Sequence, residues 1–376
     1  MASAPRIQSQ AAEHCARGVR LAEQGRLDEA MESFREAMRL DRRLTAAHYN
    51  LGNALVAAGR GAEACAAYRS AIAIEPNFSL GFRNLGLALL ETDDVDGAVR
   101  ALRQAVELDP QDTGAVSSLA IALLRRGDLH DALAALERNF GRVPNKTRDL
   151  SLKAVALERL GDSDGARRLL DFDRLILTIR PAAPPGYRDV AAFNAALAEH
   201  VLDHPSLDRS PAQHATRGGR HSGDLLPDSA PVIAALESVI EGTVQRYVDS
   251  GARIGAHPFL ATAPDSVVLT AWAVVLDRGG YQIPHVHPAG WLSGLYYARV
   301  PEPLPERPHE GWIEFGRPDP VIAGGADTAT RLIRPEAGSM VLFPSYFYHR
   351  TLPFDTPGPR ISIAFDVMPD ASPDSA

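Results

Sequence analysis

The strongest constraint on this chain is a repeat. From residue 11 to residue 180 the same residue types return every 34 positions, with nothing inserted or lost across five units. Gly18, Gly52, Gly86, Ala120 and Ala154 share one position of the period, and Ala30, Ala64, Ala98, Ala132 and Ala166 share another. Next come the bulky residues Phe34, Tyr68, Leu102, Leu136 and Leu170, and Pro76, Pro110 and Pro144 fall near the close of the period. A period of this length describes a supersecondary unit that cannot bury its apolar face alone and therefore stacks on its copies.

The pattern fits paired antiparallel helices. Small residues let the two helices of a unit approach closely, and the bulky residue is expected to fill the space between units. Proline ends the second helix because it cannot continue the hydrogen-bond ladder. Gly25, Gly59, Gly127 and Gly161 are expected to turn the chain between helices. The last two units depart from the pattern, with Asn139 in place of alanine and Lys153 in place of an apolar residue, which suits a terminal unit that caps the stack or docks on the next part of the chain. These residues resemble the tetratricopeptide-repeat family. The resemblance implies an all-α solenoid, a multidomain protein, and a surface that binds a peptide or protein. Asn50, Asn53, Arg83 and Asn84 are candidate groove residues, although the plainer expectation is that each is solvated or bonds a neighbouring helix.

At 376 residues the chain exceeds what one core comfortably serves. Residues 1–180 carry 25 basic and 25 acidic side chains and residues 181–376 carry 14 and 22, so neither half offers the basic surface that grips nucleic acid. The first ten residues lack a signal peptide's charged start and apolar core, and no uncharged apolar run is long enough to span a bilayer. Cys15 and Cys65 are too few for a disulfide framework. A cytoplasmic protein with no membrane association is expected.

Residues 180–187, Arg-Pro-Ala-Ala-Pro-Pro-Gly-Tyr, break the period. Helical patterns come next, over 189–204 and 230–248. Between them residues 216–223, Thr-Arg-Gly-Gly-Arg-His-Ser-Gly, suggest a flexible basic loop, a plain surface loop in the simplest reading, or else a lid or a substrate-contacting loop. From Ser266 the grain changes to short strands, at 267–276, 291–300, 311–315, 339–343 and 360–365, separated by glycine- and proline-rich turns. A double-sheet jelly roll holds this many strands without long open edges. The predicted organisation is an array over 11–180, a helical preface over 181–255 and a jelly-roll core over 256–370.

Three motifs in the strand-rich region carry chemistry. In Pro284-His285-Val286-His287-Pro288, extended backbone points both imidazoles to one side, where they can face one ion. His349 comes after a later strand, and two near ligands with one distant ligand can form one face of an octahedron. Arg360 and Ser362 alternate onto one face of the last strand, a guanidinium and a hydroxyl suited to a carboxylate. Each motif alone has a bland reading, incidental histidines or a structural ion pair; their order and spacing favour a joint site.

Residues 255–370 resemble the 2-oxoglutarate and iron(II) oxygenases, distant relatives of the prolyl-4-hydroxylases. The matching strings are His285-x-His287-Pro288, Ser293-Gly294-Leu295-Tyr296-Tyr297, Pro335-x-Ala337-Gly338, Leu342-Phe343-Pro344-Ser345 with His349, and Arg360-Ile361-Ser362-Ile363. The resemblance implies a double-stranded β-helix in which His285, His287 and His349 hold Fe(II), and Arg360, helped by Ser362, binds the distal carboxylate of 2-oxoglutarate. It also implies that Tyr296 or Tyr297 bonds this co-substrate while the other packs in the core. The reaction implied is hydroxylation coupled to conversion of 2-oxoglutarate to succinate and carbon dioxide, with no catalytic side chain beyond the metal centre. His287 stands where the common triad has an acid, so Asp277 or Glu314 is a candidate source of compensating charge. Two other readings stay open: a three-histidine, cupin-like metal enzyme that does not use 2-oxoglutarate, and a non-catalytic scaffold in which the repeats are the working part.

Overall fold

Glycine decides how closely the repeat helices approach. The structure, a computed structural model, describes residues 4–140, 147–209, 215–254, 257–264, 266–302, 307–325 and 328–370; Pro144 lies outside them. The chain forms two compact units, residues 1–139 and 140–376. In the first, helices run in pairs: α1 (Ala4–Glu23) with α2 (Leu27–Leu40), α3 (Thr45–Ala57) with α4 (Gly61–Ile74), and α5 (Ser79–Glu91) with α6 (Val95–Leu108). After them come α7 (Thr113–Arg126) and α8 (Leu129–Phe140). A Cβ built on Gly18, Gly52 or Gly86 would come within 2.5, 2.5 and 2.4 Å of Phe34, Tyr68 and Leu102. In these three units the bulky residue therefore presses on the glycine of its own unit. In the second unit Tyr68 also reaches the next unit, sharing Asn53 Oδ1 with Asn84 of α5.

The turn inside each pair needs a left-handed residue. Gly25, Gly59 and Gly127 supply it with φ of 74°, 73° and 93°. The equivalent position of the third pair is Asp93, with φ 64°, the one non-glycine residue with positive φ among the described residues. The candidate groove residues are engaged with neighbouring helices. Tyr68 donates to Asn53 Oδ1 at 2.8 Å, and Asn84 Nδ2 donates to that same oxygen and to Tyr49 at 3.0 Å each. Arg83 pairs with Asp112 at 2.8 Å, while Asn50 makes only a long contact, 3.8 Å, to the Cys15 sulfur. Cys15 and Cys65 are buried free thiols.

The 34-residue period runs on past the division between the units, and its final helices, α9 (Thr147–Arg159) and α10 (Ser163–Leu169), pack within the second unit. Thr147 Oγ1 donates to the Gly290 carbonyl at 2.6 Å, His257 Nε2 bonds the Arg168 carbonyl at 2.8 Å, and the Tyr346 hydroxyl donates to the Leu169 carbonyl. Next come α11 (Phe172–Leu175), β1 (Leu177–Ile179), α12 (Val190–Asp203), β2 (Asp208–Arg209), β3 (Thr216–His221) and α13 (Pro231–Ile254). The rest is β4 (Val267–Gln282), β5 (Leu292–Arg299), β6 (Ile313–Phe315), α14 (Pro320–Ala323), β7 (Arg331–Ile333), β8 (Met340–Pro344), β9 (His349–Thr351) and β10 (Arg360–Pro369).

Seven strands form one antiparallel sheet in the order β1-β8-β5-β10-β4-β3-β2, and β7-β6-β9 form a second. This is the two-sheet jelly roll expected after an α-helical solenoid, with α12 and α13 as flanking helices. Residues 216–221 are a strand and not the loop their glycines suggested. They pair with β4, with a register break between Arg217 and Gly219 where Gly218 takes φ 65° against Gly280. A glycine pair reads locally as a turn, but a long neighbouring strand supplies its backbone with partners.

Candidate functional site

The site is assembled by three stretches that the sheets bring together. His349 opens β9, and its N–H and C=O exchange hydrogen bonds with His285 at 3.0 Å each, in an isolated bridge just beyond β4. His287 stands two residues later, its N–H held by the Ser345 carbonyl at 3.0 Å. One ring nitrogen from each of the three histidines lies within 4.8 Å of the others, and the ring centres are 4.2 to 5.3 Å apart.

Each ring is fixed through its other nitrogen. His285 Nδ1 bonds the Ile283 carbonyl at 2.8 Å, and His349 Nδ1 bonds the Phe347 carbonyl at 3.0 Å. A carbonyl only accepts, so Nδ1 carries the proton in both and Nε2 keeps its lone pair. His287 Nδ1 faces Asp366 Oδ1 at 2.6 Å. That carboxylate oxygen also accepts from Ser293 Oγ at 2.6 Å, and Ser293 Oγ lies 2.7 Å from Ser345 Oγ. Three imidazoles oriented through Nδ1 by two carbonyls and a carboxylate are arranged as metal-binding histidines commonly are. Burial, with His287 beside it, pulls the His285 imidazole down to about 3, although His285 keeps some surface toward the cavity. Burial, with both other rings, holds His349 well below its ordinary value. Both are neutral at physiological pH, as ligands must be.

Asp366 was not legible as a site residue. The candidates for compensating charge were Asp277 and Glu314, and both have other partners: Asp277 lies 3.9 Å from Arg220, and Glu314 pairs with Arg317 and Arg350. The available signal was alternation along β10, which places Arg360, Ser362, Ala364 and Asp366 on one face. Pairing extends that face: Asp366 stands opposite Ser293, Ala364 opposite Leu295 and Trp272, and Ser362 opposite Tyr297. Gly290 belongs to the same construction, since a Cβ there would meet Ser345 Oγ at 2.6 Å.

A cavity of about 360 Å³ opens over the three histidines, walled by Trp272, Phe343, Leu295 and Ala364 and, from the β3 side, by His221, Ser222 and Asp224. Farther along β10, outside that lining, Arg360 is 1% exposed. Its Nη1 reaches Ser362 Oγ at 3.4 Å and its Cζ lies 5.0 Å from the centre of the Tyr297 ring. Nε and Nη2 of Arg360 and the Tyr297 hydroxyl are buried with no hydrogen-bond partner. Burial lowers the Arg360 pKa and raises that of Tyr297. Of the two tyrosines, Tyr297 lies beside Arg360, whereas the Tyr296 hydroxyl donates to Asn194 of α12 at 2.6 Å.

Comparison with known proteins matches residues 270–366 to the family described as "Putative 2OG-Fe(II) oxygenase". Tetratricopeptide-repeat families match residues 18–59, 45–78, 83–140 and 150–171. The chain joins tetratricopeptide repeats to a domain that matches this oxygenase family. No curated protein matches it. Similar solved structures include YrrB, described as a tetratricopeptide-repeat protein with an unusual peptide-binding site, at 23% identity and TM-score 0.40, over 43% of this chain and 84% of that one. MamA is similar at 19% identity and TM-score 0.42, over 43% and 88%. A MamA fragment from Desulfovibrio magneticus RS-1 is similar at 19% and 0.40, over 44% and 96%.

Trp291, His257 and His309 make packing or hydrogen-bond contacts away from the three histidines. Trp291 stacks on Phe259 at 5.1 Å, and His257 accepts from the Phe259 amide at 3.1 Å. His309 packs edge-on against Trp312 at 4.6 Å. Among the described residues, no helix is long and apolar enough to cross a membrane.

Proposed function

We propose that the chain is an Fe(II)- and 2-oxoglutarate-dependent dioxygenase that hydroxylates a peptide or protein side chain or a small metabolite, and that its repeats bind the substrate or a partner. The observation that carries this reading is Arg360. A buried guanidinium with two partnerless nitrogens is costly unless an anion completes it, since an unsatisfied buried charged group costs about 1–3 kcal/mol or more. A carboxylate is the ligand whose geometry matches the guanidinium fork. The Tyr297 hydroxyl and Ser362 offer further donors beside it.

The donor set fits iron as well. His285, His287 and His349 would hold Fe(II) through Nε2, a neutral set of three imidazole donors. When bound, Fe(II) and 2-oxoglutarate supply oxidative decarboxylation to succinate and carbon dioxide, coupled to insertion of one oxygen atom into a C–H bond. The protein's residues orient and tune. Asp366, through its bond to His287 Nδ1, makes that imidazole a stronger donor and places a negative charge next to the ligand that replaces the usual acid. Trp272, Phe343 and Leu295 narrow the cavity and limit water around the reacting groups.

Anaerobic addition of Fe(II) and then 2-oxoglutarate to the full chain tests the reading. A visible charge-transfer band is expected at one equivalent of each, absent in His349→Ala and weakened in Arg360→Ala. Iron uptake without any response to 2-oxoglutarate would favour a three-histidine metal enzyme of another kind. No uptake at all would leave a scaffold.

A further inference from the structure

A second group of metal-ligating side chains lies outside the three-histidine centre. His200 and His204 are one turn apart on α12 and at its C-terminal cap, so their rings project from one face of the helix, with centres 5.6 Å apart. Opposite them stands Asp228, in the segment joining β3 to α13. Asp228 Oδ2 lies 2.9 Å from His200 Nε2 and 3.6 Å from His204 Nε2. One donor atom from each residue falls within 4.8 Å of the others.

We propose that His200, His204 and Asp228 form a second cation site, for a zinc-class divalent ion, that clips α12 to the β3–α13 segment. Metal–nitrogen and metal–oxygen bonds of about 2.0–2.2 Å in tetrahedral geometry set donor atoms about 3.3 Å apart. The two carboxylate–imidazole separations bracket that value, and all three donor atoms lie within 4.8 Å of one another. Asp228 Oδ1 accepts from the Ala230 amide at 2.9 Å, which aims Oδ2 at the imidazoles.

On the far side of the His204 ring, Nδ1 faces Ser206 Oγ at 2.8 Å and the Ser206 amide at 3.2 Å. Ser206 Oγ also accepts from the Gly223 amide at 2.9 Å. To take an ion on Nε2, the neutral His204 ring carries its proton on Nδ1, exchanging the bond from the Ser206 amide for one to Ser206 Oγ. The three side chains are 12 to 29% exposed, which leaves the fourth tetrahedral position to water. Gly223 and Asp224, a few residues before Asp228, wall the cavity over the three histidines. The clip thus holds one wall of that cavity to a flanking helix.

The test counts zinc on the full chain after dialysis against micromolar Zn(II), in wild type, Asp228→Asn, His200→Gln and His349→Ala, with circular dichroism on each. The expected result is that wild type binds at least one equivalent that disappears in Asp228→Asn and His200→Gln and persists in His349→Ala. That equivalent should also raise the melting temperature of wild type more than that of Asp228→Asn. Metal content unchanged in both site variants overturns the proposal, as does a wild type whose entire zinc load vanishes in His349→Ala. The second result needs no folded variant of the clip. Loss of the three-histidine equivalent alone speaks to the oxygenase reading and leaves the clip standing.

Discussion

In the repeat unit the closest approaches are made where a side chain is missing: Gly18, Gly52 and Gly86 accept Phe34, Tyr68 and Leu102 with no room for a methyl group. In the β-rich unit the corresponding approaches serve single places. Gly294 lets the Phe365 ring cross it, and Gly290 admits Ser345 beside Asp366. The polar groups differ in the same way. Around Asn53 and Asn84 the bonds close on each other, and exposed ion pairs such as Arg26–Glu29, Arg39–Glu36 and Arg60–Glu63 run one turn along their helices. At Arg360 and Tyr297 buried donors have no partner. The repeats also leave a buried atom without a partner, His48 Nδ1, but a guanidinium is the costlier group to bury in that state.

Arg360→Met breaks this contrast most sharply. The affinity for 2-oxoglutarate, read by the charge-transfer titration, should fall by about 100-fold or more, while folding stability rises by about 1–3 kcal/mol because an uncompensated buried charge is removed. A stability loss instead would mean that the guanidinium is structural. Asp366→Asn comes next. With the fold intact, metal affinity should drop by about 10- to 100-fold, as on loss of a carboxylate that orients a ligating histidine, and equilibrium dialysis measures it. Asn53→Ala in the repeats should leave metal affinity unchanged.

Two glycine substitutions sharpen the description of the array. Gly52→Ala drives a methyl group into Tyr68 and should cost about 1–3 kcal/mol in urea denaturation. At Gly59 nothing lies within 4 Å of the place an added methyl would take, so Gly59→Ala should cost only the left-handed backbone penalty, about 1 kcal/mol. Equal effects would mean that packing against Tyr68 adds nothing.

The smallest effect expected is a pH dependence. Burial holds His257 below its ordinary value, although its bond to the Arg168 carbonyl acts in the other direction. Its folded pKa lies under the unfolded value of about 6.5, so the unfolded state binds the proton first as pH falls. The stability linked to His257 is therefore complete above about pH 6.5 and declines below it, by at most about 1.4 kcal/mol per pH unit. Denaturant midpoints at pH 7.5 and 5.5 should show a shift that narrows in His257→Gln.

Much of the fold was open to reading because it rests on local rules. A 34-residue period, turn glycines and alternating strands are written along the chain, and so are two nearby histidines and an Arg-x-Ser pair. The period could assign a bulky residue to a unit but not its neighbours, and so did not show that Tyr68 presses on Gly52. Glycines 218 and 219 looked like a loop because their strand partner is about sixty residues away in sequence, in β4.

The sequence by itself determined the helical repeats, the strand-rich domain after them, and which three imidazoles and which guanidinium are available. Only the tertiary structure decided that Asp366 supports His287, that Tyr297 and not Tyr296 lies beside Arg360, and that Asp228 meets His200 and His204. The physical reason is range. Periodicity reports which side of an element a residue takes, while strand register and helix docking set what stands opposite, and those depend on contacts between segments far apart in the chain.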